Sequence, residues 1–269
     1  RYQKNFYSDD MVVLAISQSG ETADTIAALK EVQKKGIMTL GVVNVPGSSI
    51  ANMTDAGVYT HAGSEIGVAS TKAFTAQMSA LFMISLLIGD HKNLSVIDKR
   101  QYIEAFGKLR NQIQEVLDNE DAIKHLAAEL KDYDHTFFLG RYYQVPIAYE
   151  ASLKFKEITY IHSEAYPAGE LKHGPLALID PQHPSVLFAP EDGMFDKTIS
   201  VYQEVSARGG KVYTVSNVEG SDIVIPKTHP ILYPFLTVIV SQLLAYHTAK
   251  LLGREIDKPR NLAKSVTVE

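Results

Sequence analysis

Displaced by 173 residues, this chain matches itself. Val13 to Ile50 falls on Val186 to Ile223 without a gap, and 14 of the 38 paired positions are identical, Gly20, Gly36, Asn44 and Gly47 among them. Each copy reads as an apolar run, a loop, a helical pattern, a glycine stop and a second apolar run, which is a βαβ unit. Gly36 and Gly209 fall where a helix C-cap glycine belongs. A duplicated βαβ unit leaves few choices of fold. It predicts an α/β chain of two similar domains, each a parallel sheet with helices on both faces. A length of 269 residues suits two domains.

The copies differ where their first strand meets its helix. The first has Ser17-Gln18-Ser19-Gly20-Glu21-Thr22, the second Pro190-Glu191-Asp192-Gly193. A helix start aims unpaired N–H groups and the positive end of its dipole at such a loop, and this favours an anion. Ser17, Ser19 and Thr22 add hydroxyl donors, and no Lys or Arg joins them. Neutral donors suit a small sugar phosphate better than a nucleotide triphosphate with its magnesium. Ser and Thr at a helix start also act as simple N-caps, so these six residues alone fit either role. The second copy shifts the balance toward phosphate, because a proline and two carboxylates keep the fold element without hydroxyls. The hydroxyls are therefore expected to be dispensable for the turn.

A net charge of −5 argues against nucleic acid as a partner. With no cysteine there is no disulfide, thiolate metal site or cysteine nucleophile in this chain, and none of the nine histidines shows a zinc-type pairing. No metal and no cofactor are expected. GxGxxG and P-loop motifs are missing too. No charged-then-apolar leader follows Arg1, and a cytoplasmic location is expected. Met78 to Ile88 is too short an apolar run to span a bilayer, and Pro234, Gln242, His247 and Lys250 interrupt Ile231 to Gly253, so both read as buried helices.

The predicted elements are strands Met11–Ile16, Met38–Val43 and Gly57–Thr60, with helices Ala23–Lys35 and Ala73–Leu87, after a polar opening over 1–10. A helical stretch from Ile97 to Leu130 breaks near Asn119. Strand Thr136–Leu139 precedes a helix that takes Pro146 in its first turn and ends near Tyr160. His162 to Pro175 reads as irregular. Strand Ser185–Ala189, helix Phe195–Ala207, strand Lys211–Ser216 and a long apolar helix complete the pattern. The second half thus has a strand and helix ahead of its repeat that the first half lacks, so the chain is expected to begin inside a domain.

Chemistry has three further candidate locations. Glu150, Lys154 and Glu157 share one helix face, either as a solvated Glu–Lys pairing or as a base that moves a proton between adjacent sugar carbons. His173 lies in Gly169-Glu170-Leu171-Lys172-His173-Gly174-Pro175, a loop position open to structural or catalytic use. Lys264 sits in the terminal tail from Pro259 to Glu269, as a solubilising charge or, if held and deprotonated, a carbonyl nucleophile.

Four segments together resemble a known family: Ser17 to Thr22, Glu65-Ile66-Gly67-Val68-Ala69-Ser70-Thr71-Lys72, Glu170-Leu171-Lys172-His173-Gly174-Pro175-Leu176 and the tail Pro259 to Glu269. The family is the isomerase half of the glutamine–fructose-6-phosphate aminotransferases, built from two SIS (sugar isomerase) domains. The resemblance covers essentially the whole chain. It implies a first SIS domain with linker helices over 1–120, lacking its opening βα unit, a second over 121–252, and a catalytic tail over 253–269. It implies that fructose 6-phosphate and ammonia become glucosamine 6-phosphate. Ser17, Gln18, Ser19 and Thr22 would bind the 6-phosphate, and Ser70 the sugar, with the backbones of Val68 and Ala263 nearby. Lys264 would form a Schiff base with the ketose, and Glu157 would carry the proton between C1 and C2 beside Lys154. His173, lent by the other subunit of a homodimer and oriented by Glu150, would open the ring. The glutaminase domain of that family, which releases the ammonia, is not in this chain. An amino-sugar phosphate deaminase or deglycase, or a sugar-phosphate sensor, are the other readings that SIS relatives allow.

Overall fold

The computed structural model describes residues 7–8, 10–92 and 94–264. Part of the polar opening and the end of the tail, 265–269, therefore lie outside the described residues. The chain divides into two compact units, Arg1–Ser95 with Asn261–Glu269, and Val96–Arg260.

The first unit carries β1 (Val12–Ser17), α1 (Ala23–Gln33), β2 (Met38–Val43), α2 (Ser49–Met53), β3 (Ala56–Tyr59) and α3 (Lys72–Lys92). Its three strands are parallel in the order β1-β2-β3, and Val12 pairs with Met38 through to Ser17 with Val43. Ala15, Leu29, Val43 and Ile50 are buried together where α1 and α2 meet the sheet. Val42 is also fully buried and, by strand alternation, points to the opposite face. Asp55, just ahead of β3, accepts from the Thr39 N–H at 2.7 Å and from its hydroxyl at 2.8 Å, which pins the start of β2.

The second unit carries α4 (Val96–Asp118), α5 (Asp121–Leu130), β4 (His135–Gly140), α6 (Gln144–Thr159), β5 (His162–Pro167), β6 (Ser185–Phe188), α7 (Phe195–Ser206), β7 (Val212–Ser216), β8 (Ile223–Val224) and α8 (Tyr233–Leu251). Its five parallel strands run in the order β5-β4-β6-β7-β8. Phe137 and Leu139 of β4 join Leu171, Leu187, Val201 and Val205 on one face. Phe138, one residue out of phase, meets the Phe155 ring of α6 edge-on at 5.4 Å on the other. There α5, α6 and α8 pack together, with Leu236, Val238, Val240 and Leu244 of α8 all at most 1% exposed. Each such side chain contributes roughly 1.5–3 kcal/mol by leaving water.

The repeat is visible in three dimensions. β1-α1-β2 of the first unit has its counterpart in β6-α7-β7 of the second. The shared glycines adopt positive φ in both copies: Gly20 and Gly193 at 70° and 87°, Gly36 and Gly209 at 71° and 79°, Gly47 and Gly220 at 73° and 89°. A similar clasp, not at paired positions of the repeat, has Thr214 donating twice to Asp222 at 2.7 and 2.8 Å. In the second unit β6 pairs with β4, whereas β1 is the end strand of its sheet. Among the described residues the first unit has no counterpart of β4 and α6.

Three expectations are corrected. His162 to Pro175 is not irregular: it holds β5 and a 3-10 turn over Ala168–His173. Pairing with β4 makes β5 a strand although its sequence is polar. α2 and β8 were also not foreseen, both being too short to show a period. Finally, α3 extends 21 residues, well past the apolar run Met78 to Ile88, and it and Pro230–Leu251 are each long and apolar enough to cross a membrane by composition. The window in Pro230–Leu251 is 67% buried inside the protein, as a core helix is, whereas that in α3 is only 17% buried, so Met78 to Ile88 is not the buried helix expected.

Candidate functional site

The loop after β1 is a hydroxyl cradle. The buried Ser17 Oγ accepts from the Gly20 N–H at 2.9 Å, and Ser19 Oγ accepts from the Glu21 N–H at 3.2 Å. Thr22 stands at the N-cap of α1, yet its side chain makes no capping bond. Hydroxyls that accept from the backbone keep their own protons to donate outward, and an anion at this helix start would accept those hydrogen bonds. Gly20 cannot be replaced cheaply, because a Cβ there would lie 2.0 Å from Ser48 Oγ.

The idea that the hydroxyls are dispensable for the turn needs amendment. In the second copy Asp192 Oδ1 accepts from the Met194 N–H at 3.1 Å. Asp192 is the counterpart of Ser19, and Met194 of Glu21. Both copies brace the turn with a side-chain oxygen, but only the serine also has a proton to give. Burial raises the Asp192 carboxyl above its ordinary range, against the pull of the Met194 N–H.

Glu21, not among the residues expected at the site, ties this loop to α2. Its two oxygens accept from the Ser49 N–H and hydroxyl, both at 2.7 Å. The Ser49 N–H first, and its hydroxyl second, hold the Glu21 carboxyl below the usual range.

Lys264 belongs to the same unit, and it is anchored. Its Nζ donates to the Gly67 carbonyl at 2.7 Å and to Ser70 Oγ at 3.1 Å, and Glu65 Oε2 lies 3.6 Å away. The Glu65 side chain is 4% exposed and that of Lys264 26%. Glu65 Oε1 accepts from the Thr71 N–H at 2.7 Å, whereas its Oε2 has no hydrogen-bond partner. Burial, the largest influence, favours the neutral form of Glu65, but the Thr71 N–H, the Lys264 charge and the Ser70 and Thr71 hydroxyls together hold the carboxyl below its usual range. Val68 lies half-buried within this segment, and Ala263 is exposed beside Lys264. No local pattern marks Glu65 as a partner of a lysine 199 positions later.

In the second unit the face of α6 holds a charge triad, with Lys154 buried and both carboxylates partly so. Lys154 Nζ donates to Glu157 Oε2 at 2.6 Å and lies 3.8 Å from Glu150 Oε1, with side-chain exposures of 7%, 19% and 12% for Lys154, Glu157 and Glu150. These three are not a solvated surface pairing. Burial first, and Glu157 second, raise the Glu150 carboxyl above its ordinary value against the pull of Lys154. His173 ends the 3-10 turn that Ala168 and Leu171 anchor in the core, and it is exposed. Within one chain no hydrogen bond joins it to Glu150 among the described residues. No group of three His, Asp or Glu side chains among them is placed to hold a metal ion.

Two α/β units, each a parallel sheet flanked by helices, define the class of fold to which SIS domains belong. Accordingly, the SIS domain family matches residues 2–87 and 129–251. The glutamine–fructose-6-phosphate aminotransferase (isomerizing) of Chlorobaculum tepidum is 46% identical over 278 residues, covering 100% of this chain and 45% of that protein. Its Thermus thermophilus namesake is 45% identical over 279 residues, covering 100% and 46%. This chain therefore spans less than half the length of these curated relatives. Among solved structures, the C-terminal domain of the Francisella tularensis glucosamine-fructose-6-phosphate aminotransferase superposes with a TM-score of 0.91 at 41% identity, covering 96% of this chain and 76% of that one. The glucosamine-6-phosphate deaminase of Thermotoga maritima shares the fold at a TM-score of 0.79 and 24% identity, covering 97% and 77%. The chain belongs to the SIS family and, within it, to the isomerase half of the glutamine–fructose-6-phosphate aminotransferases.

Proposed function

We propose that this chain carries the sugar chemistry of that aminotransferase: fructose 6-phosphate and ammonia become glucosamine 6-phosphate and water. The observation that carries the reading is the anchored amine of Lys264, held by Gly67 and Ser70 in the unit that also bears the hydroxyl cradle. Ser17, Gln18, Ser19 and Thr22 take the 6-phosphate through neutral donors. Ser70 meets the sugar, with the backbones of Val68 and Ala263 beside it. The Lys264 amine attacks the C2 carbonyl and expels water, and the resulting Schiff base makes the C1 protons acidic. Ammonia displaces the Lys264 amine from C2, and Glu157 then takes a proton at C1 of the new imine and returns it at C2, with the Lys154 charge beside it.

His173 opens the sugar ring, supplied by the second chain of a homodimer and oriented there by Glu150. Its exposure on a single chain leaves it available for that use. Ammonia comes from a glutaminase part outside this sequence. No cofactor or metal enters the scheme, and a cytoplasmic location belongs to the same reading.

Borohydride reduction in the presence of fructose 6-phosphate tests it. Mass spectrometry should find the sugar adduct on Lys264. An adduct on another lysine, or none, rejects the Schiff-base assignment.

A further inference from the structure

Glu65 is a charge beside Lys264 that the scheme above does not use. It is almost wholly buried, one of its oxygens is fixed by Thr71, and the other faces Lys264 Nζ at 3.6 Å without a hydrogen bond of its own. A buried carboxylate is costly unless a cation compensates it. Among the described residues, Lys264 is the cation within ion-pair distance of it. The three groups around Nζ are a carbonyl, a hydroxyl and a carboxylate, all acceptors. They fix the nitrogen through its protons, and the carboxylate alone supplies charge.

We propose that Glu65 is a positioning residue for Lys264: it holds the amine on the Gly67–Ser70 segment and remains its counter-charge when that nitrogen becomes an iminium. The inference rests on the Schiff-base reading above. The chemistry explains why a fixed carboxylate suits the task. The ammonium nitrogen loses two protons, the carbonyl oxygen leaves with them as water, and the new C=N bond keeps the third proton on nitrogen. The nitrogen carries a single positive charge before and after. A counter-charge that need not move is therefore correct for both states, and a preorganised environment costs no rearrangement during the step.

Two variants and two readouts test this in the protein with and without fructose 6-phosphate. Glu65→Gln removes the charge and keeps the shape, whereas Glu65→Asp keeps the charge and draws it back. In the sugar-free protein, an amine-directed acylating reagent at pH 7.5 should label Lys264 at least about tenfold faster in Glu65→Gln, because the amine then loses the opposite charge that holds it. With sugar, the alkaline limb of the borohydride-trapping profile should move in Glu65→Gln as well. Glu65→Asp should leave that limb in place while slowing trapping.

Unchanged labelling in Glu65→Gln overturns the proposal, as does an equal displacement of the limb in both variants. Faster labelling without any sugar adduct in the unaltered protein retains the Glu65–Lys264 coupling and rejects the Schiff-base reading instead. If Glu65→Gln does not fold, the Glu65→Asp profile decides: a shifted limb overturns the proposal and an unshifted limb with slower trapping upholds it.

Discussion

Lys154 lies 2.6 Å from Glu157 and 3.8 Å from Glu150, with only 7% of its side chain exposed. One cation thus compensates two largely covered carboxylates, and this arrangement makes α6 sensitive to any change of charge. Lys154→Met should cost about 3–5 kcal/mol near pH 8, the usual cost of leaving a buried charge unpaired. Urea unfolding at pH 5 and pH 8 checks it, and the loss should be smaller at pH 5, where protonation of the raised Glu150 carboxyl relieves the site.

Glu150 gives the opposite expectation. Its carboxyl is raised in the folded state, by burial first and by Glu157 second. Its favourable contribution is therefore complete below the unfolded value of about 4.3 and is lost as pH rises through the folded one. Glu150→Gln should be neutral at pH 4 and more stable than the parent at pH 8, by on the order of 1 kcal/mol. The gain in stability should come with a loss of isomerisation if Glu150 orients His173. Paired melts and turnover assays separate the two effects.

At the cradle, Ser19→Asp imitates the second copy. The turn should survive within about 1 kcal/mol, because the new carboxylate can accept from the Glu21 N–H as Asp192 does from Met194. Calorimetric titration with fructose 6-phosphate should nonetheless show binding weakened by at least about tenfold, through like-charge repulsion. Binding that matches the parent protein would remove the phosphate from this loop.

Two glycines with nearly the same φ should respond differently. Gly20 and Gly36 sit at 70° and 71°, but a Cβ at Gly20 would meet Ser48 Oγ at 2.0 Å, while one at Gly36 would meet nothing within 4 Å. Gly36→Ala should cost about 1–2 kcal/mol, the left-handed penalty alone, and Gly20→Ala clearly more. Thermal unfolding of the two variants ranks them.

Glu21→Gln should weaken the tie between the loop and α2. The parent carboxyl is depressed by the Ser49 N–H and hydroxyl, so its contribution is present above the unfolded value and is lost as pH falls through the folded one. The variant should melt lower than the parent at pH 7, and the gap should close on acidification.

The pattern of residues carried a good deal of this architecture. β1-α1-β2 and β6-α7-β7 were legible because a gap-free repeat, with a glycine at each helix end, states the same unit twice. β5 was not, since His162-Ser163-Glu164-Ala165-Tyr166-Pro167 offers no apolar alternation, and it is β4 that makes it a strand. At the cradle the hydroxyls were visible, but the double duty of Ser19 was not. That required seeing Asp192 accept from the same relative N–H. Glu65 stayed hidden for a different reason. Its partner is remote along the chain, and a lysine in a polar tail looks the same whether it is anchored or loose.

The matched pair Ser19 and Asp192 has an evolutionary consequence. A turn braced by any side-chain oxygen can trade a proton donor for a negative charge without refolding, so anion affinity becomes anion exclusion by exchange of one residue type. Gene duplication can then keep two copies of a scaffold while silencing one, and the silent copy is free to drift toward purely mechanical support.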